Sequence, residues 1–220
     1  TLIGEDGKAD YEALQAIDLE LFNTQLTKLI QGEEVELPTF DFKEGRRKWT
    51  GRVLRITEDQ PIIIEGIHGL NDQLTAAIPQ GRKFKIYISA LTNLNIDNHT
   101  RVSTADARML RRIVRDHHFR GHSAKSTIQM WPSVRRGEEL HIFPFQESAD
   151  VMFNSSLVYE LSVLKGAVEP LLQEITPDDE EYGEARRLLT FLRHFRAVPP
   201  SKVIPCNSIL REFIGGSCMH

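Results

Sequence analysis

The sequence is poor in cysteine, since only Cys206 and Cys218 occur in 220 residues and both lie near the C-terminus. A disulfide framework needs several cysteine pairs spread along the chain, so the class of small cross-linked secreted proteins is excluded. Long apolar runs are also absent, and none approaches the roughly 20 residues that span a bilayer. The opening TLIGEDGKAD lacks the basic and then apolar character of a secretory signal. We therefore predict a cytoplasmic protein without a membrane segment.

An excess of basic residues is missing too. The chain has 27 lysine and arginine residues against 31 aspartate and glutamate residues, and its net charge is -4. A protein that binds along a nucleic-acid backbone needs a broad basic surface, so we expect no nucleic-acid partner. Where arginines do cluster locally, they indicate a small anionic ligand.

Several motifs of known chemistry do not occur. No GxxxxGK[ST] phosphate loop is present anywhere in the 220 residues. Ser155 and Ser156 lack the nucleophile elbow of a serine hydrolase. His117, His118 and His122 form a local group, but no second cluster of cysteine or acidic ligands follows at zinc-like spacing. We therefore expect no zinc site.

The length and the 40% hydrophobic content are sufficient for one α/β domain over residues 1–220. Leucine and isoleucine at helical spacing predict one long helix from Asp10 to Gly32. Extended segments at 37–42 and 49–57 flank a basic turn, which predicts a β-hairpin over residues 40–57.

Short apolar runs follow the hairpin at 62–65 and 84–89 and recur at 149–153. Runs of this kind are typical of strands buried on both faces of a parallel sheet. The segment between the first two runs can hold a short helix, so we predict a βαβ unit there.

Helical periodicity dominates the rest of the chain. A pair of arginine-rich helices is predicted over residues 103–140, with an interruption near Pro132 because proline removes a helical hydrogen bond. Residues 156–220 are predicted to be a helical C-terminal extension.

The most informative segment is DARMLRRIVRDHHFRG, from Asp106 to Gly121. At 3.6 residues per turn, its four central arginines fall within an arc of about 100° and its apolar residues take the opposite side. These arginines are Arg108, Arg111, Arg112 and Arg115. One interpretation is a clamp on phosphate oxygens, which planar guanidinium groups bind through two hydrogen bonds. The alternative is a solvated face that pairs with Asp106 and Asp116, although the absence of lysine favours the clamp.

An acidic residue, Glu65, ends the apolar run PIIIEG. Ligands of α/β proteins bind at the carboxyl ends of strands, so Glu65 could hold a magnesium ion or its water. The alternative is a carboxylate that caps the next helix, and position alone does not decide between the two.

The sequence contains four segments that resemble, in this order, the signature segments of the uridine kinase family: PTFDFKEGRR, PIIIEG, DARMLRRIVRDHHFRG and ADVMF. The match runs from about residue 10 to about residue 155. The resemblance implies a P-loop kinase fold, a parallel sheet with flanking helices, a protruding β-hairpin and a helical C-terminal part. It also implies transfer of the terminal phosphoryl group of ATP or GTP to the 5′-hydroxyl of a pyrimidine nucleoside, with Mg²⁺.

The resemblance also assigns roles to individual residues. Asp10 matches the family acid that accepts hydrogen bonds from the ribose hydroxyls. Glu65 matches the acid near the metal, and Arg108 and Arg111 match lid arginines that approach the ligand and the phosphates. By the clamp interpretation of the arginine face, Arg112 and Arg115 are also expected to bind phosphate.

Two positions depart from the family pattern. Phe40 takes the place of a base-reading tyrosine, and Gly45 takes that of a base-reading histidine. A phenyl ring can still stack on a base but has no hydroxyl to donate, so a different nucleoside preference stays open.

The phosphate loop and the catalytic aspartate of the family both precede the region where this sequence begins. We therefore expect the 220 residues alone to be inactive, within a longer protein that is a kinase. The alternative is a non-catalytic ligand-binding or regulatory module on a kinase scaffold. Without its first strand the sheet would expose a central edge, which a homo-oligomer could cover.

Overall fold

The structure is a computed structural model that describes residues 13–41, 46–199 and 204–219. The chain falls into two compact units. The first runs to Tyr87 and resumes over Gly137–Val151, and the second comprises Ile88–Arg136 and the chain from Met152 onward. Two of the three points of division, after residues 87 and 151, fall within strands, and the third, after residue 136, falls within a helix, so each unit is built from two separate stretches of chain.

Over the described residues, the first elements of the first unit are a short 3₁₀ helix, Leu14–Ala16, and helix α1, Leu19–Ile30. Asp18 starts α1 as its N-cap, because its side chain accepts the Leu21 N–H at 3.0 Å. Gly32, with φ of +77°, follows the end of the helix. The described part of the predicted 10–32 helix is therefore interrupted before Asp18, where the cap begins a new helix.

Strands β1, Val35–Asp41, and β2, Arg46–Leu54, pair antiparallel, with Val35 opposite Leu54 and Asp41 opposite Arg46. The register shifts between Glu36 and Pro38, which is consistent with the lack of a backbone donor in proline. The hairpin begins five residues before the predicted boundary at 40, and its turn, 42–45, lies outside the described residues.

The predicted strand at 62–65 is not formed. Residues 61–65 have no regular secondary structure, and the Ile63 side chain is 87% exposed. A strand requires a hydrogen-bonded neighbour, and in the described residues the two sheets are β1 with β2 and β3 with β4. The stretch that follows contains turns and a 3₁₀ helix, Gln80–Arg82, in place of the predicted short α-helix.

Strands β3, Ile86–Ser89, and β4, Val151–Asn154, form a small parallel sheet. The Val151 N–H donates to the Lys85 carbonyl at 3.2 Å, and the Ser155 N–H donates to the Ser89 carbonyl at 2.9 Å. Both strands lie close to the predicted runs at 84–89 and 149–153. Their connection is a crossover through two helices, as parallel pairing requires.

These helices are α2, Thr104–Arg120, and α3, Ala124–His141. Ser103 caps α2 by accepting the Asp106 N–H at 3.3 Å, and Gly121 ends it in the left-handed conformation at φ of +67°. Helix α3 continues through Pro132, although an interruption was predicted. Proline removes one hydrogen bond, but two turns on each side keep theirs.

The core of the second unit lies between α2 and the C-terminal helices. These helices are α4, Glu160–Gln173, α5, Tyr182–Leu192, and the single turn α6, Arg211–Ile214. The fully buried leucine and isoleucine side chains of this core include Leu110, Ile113, Leu161, Leu164, Leu188 and Leu210. Burial of such side chains contributes about 1.5–3 kcal/mol each, so α2 is fixed by its apolar stripe.

One ion pair links α3 to the loop before α5. The Lys125 ammonium donates to Asp179 at 2.6 Å, and the Thr176 N–H donates to the same carboxylate at 2.8 Å. The hydrogen bond from Lys125, followed by that from the Thr176 backbone, lowers the pKa of Asp179 from 3.8 to about 2.

Asp179→Asn should therefore destabilise the protein at neutral pH and have progressively less effect in acid. A lowered folded-state pKa contributes stability above the unfolded pKa of 3.8, and this contribution is lost as the pH falls toward about 2. Urea unfolding of the wild type and the variant at pH about 6 and about 3 measures the difference between their free energies of unfolding, which should be smaller at the lower pH. Asp178→Asn removes the neighbouring, exposed carboxylate, and its free energy of unfolding should differ little from that of the wild type at both pH values. If the two variants lost the same amount of their stability difference between pH about 6 and about 3, the stabilising role of the Asp179 carboxylate would be contradicted.

Candidate functional site

The predicted site residues fall into both units, and each group is described by itself. Phe40 and Glu65 lie in the first unit, whereas the four arginines lie on α2 in the second. Asp10 and Gly45 lie outside the described residues.

Arg111 is buried in the second unit, with only 7% of its surface exposed. Its Nε donates to Glu160 Oε1 at 3.2 Å, and its Nη2 donates to Glu160 Oε2. Glu160, the first residue of α4, is 1% exposed. This bidentate ion pair turns the Arg111 guanidinium toward the protein interior.

Ser155 completes the surroundings of the Arg111 guanidinium. Nη1 donates to Ser155 Oγ at 3.2 Å, and Nη2 donates to the Ser155 carbonyl at 2.8 Å. The guanidinium carbon lies 5.2 Å from the centre of the Phe213 ring, within range of a cation–π interaction. Four of the five N–H groups of Arg111 are thus engaged by α4 and the end of β4.

Asp116 is fully buried near the C-terminal end of α2, and three arginines surround its carboxylate. Its carboxylate lies 3.1 Å from Arg112 Nε, 3.6 Å from Arg115 Nε and 3.2 Å from Arg120 Nη1. The negative end of the helix dipole disfavours a carboxylate there, and the arginines offset this cost. With three guanidinium groups around one carboxylate, this end of α2 keeps a positive charge. We call these four residues the Asp116 cluster.

Asp106, at the start of α2, pairs with another helix. Arg187 on α5 donates to its two carboxylate oxygens at 2.8 and 2.7 Å. Arg187 also donates to Glu184, and the hydrogen bonds to Glu184 and then Asp106 raise the pKa of Arg187 above its usual range. The predicted pairing of the arginine face with acidic residues therefore occurs at Asp116 and not at Asp106.

Arg108 lies half-buried on α2, one turn before Arg112. Arg112 and Arg115 are also half-buried, and Arg115 additionally lies 3.6 Å from Glu212. These three arginines are at least partly accessible from solvent, in contrast to Arg111. The structure thus divides the predicted arginine face into one interior and three partly exposed side chains.

In the first unit, Glu65 is exposed and directly precedes a tight turn. The Gly69 N–H donates to the Gly66 carbonyl at 3.0 Å, and a Cβ atom on Gly69 would lie 3.2 Å from that oxygen. Turns, not an α-helix, follow Glu65, so the alternative role as a helix cap has no helix to serve. Phe40 lies exposed on β1, opposite Arg47.

The described ranges contain no ready-made cluster of metal ligands. Within residues 13–41, 46–199 and 204–219, no three His, Cys, Asp or Glu side chains lie close enough together to hold an ion by themselves. Magnesium, however, usually takes only one or two carboxylates and completes its shell with phosphates and water. An exposed acid such as Glu65 fits that lesser requirement.

Glu160 and Ser155, the hydrogen-bond partners of Arg111, are contacts that the sequence did not indicate. Both stand in NSSLVYEL, where a glutamate reads as an ordinary acidic first turn. The available signal is the position of Arg111 itself, next to Leu110 and one turn after the buried Ala107. A charged residue at the margin of an apolar stripe requires a partner.

Within the part of the chain that the structure describes, no helix has the length and apolar character needed to cross a membrane.

Comparison with known proteins matches the "Phosphoribulokinase / Uridine kinase family" model to residues 4–162. The uridine kinase of Halobacterium salinarum is 31% identical over 188 residues, which cover 82% of this chain and 75% of that protein. The uridine kinase of Streptococcus equi subsp. zooepidemicus is 27% identical over 172 residues, 76% of this chain and 74% of that protein. That of Clostridium tetani is 32% identical over 151 residues, 68% and 64% of the two chains. The resemblance predicted from the four sequence segments is confirmed, and the chain belongs to the phosphoribulokinase/uridine kinase family.

Proposed function

We propose that the protein is a nucleoside kinase of the uridine kinase type. It would transfer the terminal phosphoryl group of ATP or GTP to the 5′-hydroxyl of a pyrimidine nucleoside, uridine or cytidine. The observation that carries the proposal is the family match over residues 4–162, because that range includes all of α2 and its arginines. The relatives named uridine kinase support the substrate class.

The partly exposed arginines of α2 are the proposed phosphate-binding groups. Phosphoryl transfer needs positioning and charge stabilisation more than covalent chemistry, and guanidinium groups supply both. In this proposal Arg108 contacts the ligand, while Arg112 and Arg115 draw phosphate charge toward the positive Asp116 cluster. Asp116 holds the latter two side chains in place, which lowers the entropy lost on binding. Arg111 can contact phosphate only by leaving Glu160, so the geometry favours the other three.

The acceptor and the metal involve residues of the first unit. We propose that Asp10 accepts hydrogen bonds from the ribose hydroxyls and that Phe40 stacks on the base. Glu65 would hold Mg²⁺ or its water together with phosphate oxygens. When bound, the ion neutralises charge on the triphosphate. In this proposal the carboxylates of Asp10 and Glu65 accept hydrogen bonds or bind the ion, and the Phe40 ring supplies an apolar surface for the base.

The 220 residues contain no GxxxxGK[ST] motif, the loop whose backbone amides, lysine and hydroxyl cradle a triphosphate in P-loop kinases. We therefore propose that these residues alone bind nucleoside without turning over ATP. The alternative function is a non-catalytic ligand-binding or regulatory module. The ion pair between Arg111 and Glu160 favours this alternative function, because one of the predicted phosphate-binding arginines is already paired with a carboxylate.

Calorimetric titration with a panel of nucleosides, and with ATP in the presence of Mg²⁺, tests the proposal. We expect a pyrimidine nucleoside to bind both to this chain and to a longer form that carries a phosphate loop. ATP turnover should occur only in the longer form. Nucleoside binding without turnover in either form would establish the binding module, and no nucleoside binding to either form would refute the proposal.

A matched pair of variants sharpens the titration. Asp10→Asn should lower the nucleoside affinity about tenfold or more, because a charged acceptor of two ribose hydroxyls contributes at least about 1.4 kcal/mol. Asp6→Asn makes the same chemical change four residues earlier, at a position with no proposed role. An equal loss in both variants would show that the effect is one of overall charge.

A further inference from the structure

The two cysteines have no part in the proposed function, yet the fold brings them together. The Cys218 N–H donates to the Cys206 carbonyl at 3.0 Å, and both thiols are free and exposed. In an antiparallel pair whose residues exchange two backbone hydrogen bonds, the Cα atoms lie about 5.5 Å apart, and Cys218 and Cys206 share one such bond. Disulfides span Cα separations of about 4.4–6.8 Å. The backbone hydrogen bond therefore brings these two residues into each other's neighbourhood.

A turn of two glycines produces this approach. Gly215 and Gly216 have φ of +80° and +75°, values that side chains rarely allow, and they reverse the chain after α6. Arg211 then fastens the two limbs, since its Nη2 donates to the Ile204 carbonyl at 2.6 Å and its Nη1 donates to the Gly215 carbonyl at 3.4 Å. The proximity of the cysteines thus follows from a braced loop.

The two side chains also interact. A hydrogen bond with the Cys206 thiol, and secondarily burial, raises the pKa of Cys218.

We propose that Cys206 and Cys218 are a redox modification site that closes reversibly into an intramolecular disulfide. With a disulfide such as oxidised glutathione as oxidant, one thiolate attacks a glutathione sulfur and releases one glutathione thiol. The second cysteine then attacks the mixed disulfide and releases the other. One Cys206–Cys218 bond forms, one glutathione disulfide bond breaks, and the two protein thiols lose two protons and two electrons in total.

Closure would restrain the segment that contains α6. Phe213, on α6, lies against the Arg111 guanidinium, so the closed loop would hold this contact. A cross-link of this length mainly restricts the unfolded chain. We expect the oxidised protein to melt roughly 5 °C above the reduced protein.

Oxidation of the dilute protein with oxidised glutathione, followed by alkylation and trypsin digestion without reductant, tests the proposal. Trypsin cleaves after Arg211, between the two cysteines, so peptides 203–211 and 212–220 separate unless a disulfide joins them. We expect one linked peptide pair that disappears on reduction, together with the higher Tm.

Cys206→Ser and Cys218→Ser are the matched variants. Each should lose the linked peptides and show the same Tm with and without oxidant. Stable glutathione adducts on both cysteines of the unmodified sequence, or disulfide-linked dimers in place of the internal bond, would overturn the proposal. A linked peptide pair that forms without changing the Tm would also overturn the proposal, because the disulfide would then not close the loop of the folded protein.

Discussion

Glu160→Ala should lower the free energy of unfolding by about 3–5 kcal/mol. The substitution leaves the Arg111 guanidinium buried without its carboxylate, and a buried unpaired charge is far more costly than the loss of an exposed ion pair. It also removes the acceptor of the Leu157 N–H, which donates to Glu160 Oε2 at 2.8 Å. Urea unfolding at neutral pH, followed by circular dichroism, measures the loss.

The matched control for Glu160→Ala is Glu169→Ala on the same helix. Glu169 pairs with Lys165 at 3.4 Å one turn away and is partly exposed, so its removal should cost only about 0.3–0.5 kcal/mol. The double variant Arg111→Met with Glu160→Leu should recover most of the stability, because it removes both charges and keeps the volume. Equal losses at positions 160 and 169 would disprove the importance of the buried pair.

Arg108→Ala should reduce kcat by about 10²–10³-fold in a form of the protein that shows nucleoside-dependent turnover. A guanidinium that contacts phosphate oxygens stabilises charge as the phosphoryl group transfers, and alanine leaves that charge uncompensated. Release of ADP in the presence of nucleoside measures the change. Arg108→Lys should recover only part of the activity, because an ammonium lacks the planar fork of two donors.

Arg193→Ala is the control for Arg108→Ala, since Arg193 is an exposed arginine at the end of α5. It should turn over at the wild-type rate. A thermal melt of each variant separates lost chemistry from lost folding, because Arg108 is only half-buried and its loss should shift the Tm little. Wild-type turnover by Arg108→Ala would remove Arg108 from the proposed site.

The sequence was sufficient for the elements that depend on local periodicity. The strands β3 and β4 and the helix α2 lie close to their predicted positions, and α4 lies within the predicted helical extension over residues 156–220, because apolar spacing and capping residues act within a few turns of chain. The family was also predictable, since its segments keep fixed spacing within DARMLRRIVRDHHFRG. The substrate-binding roles of Asp10, Phe40 and Glu65 are still predictions.

The sequence was insufficient where a partner is distant. The run at 62–65 has the composition of a strand, but composition does not supply the neighbouring strand that would pair with it. Arg111 lies on the predicted arginine face, yet its direction is set by Glu160, 49 residues further along the chain. The proximity of Cys206 and Cys218 likewise depends on the positive φ angles of Gly215 and Gly216, which cannot be predicted from the positions of the two cysteines in the sequence.

The small parallel sheet also affects how the protein behaves at high concentration. Ile86 and Ile88 on β3 and Met152 and Phe153 on β4 are largely exposed, although parallel strands are normally covered on both faces. Uncovered strands of this composition favour pairing with the strands of other molecules. Crowding on storage or during concentration should therefore promote self-association through residues 86–89 and 151–154, and dilution should keep the molecules dispersed.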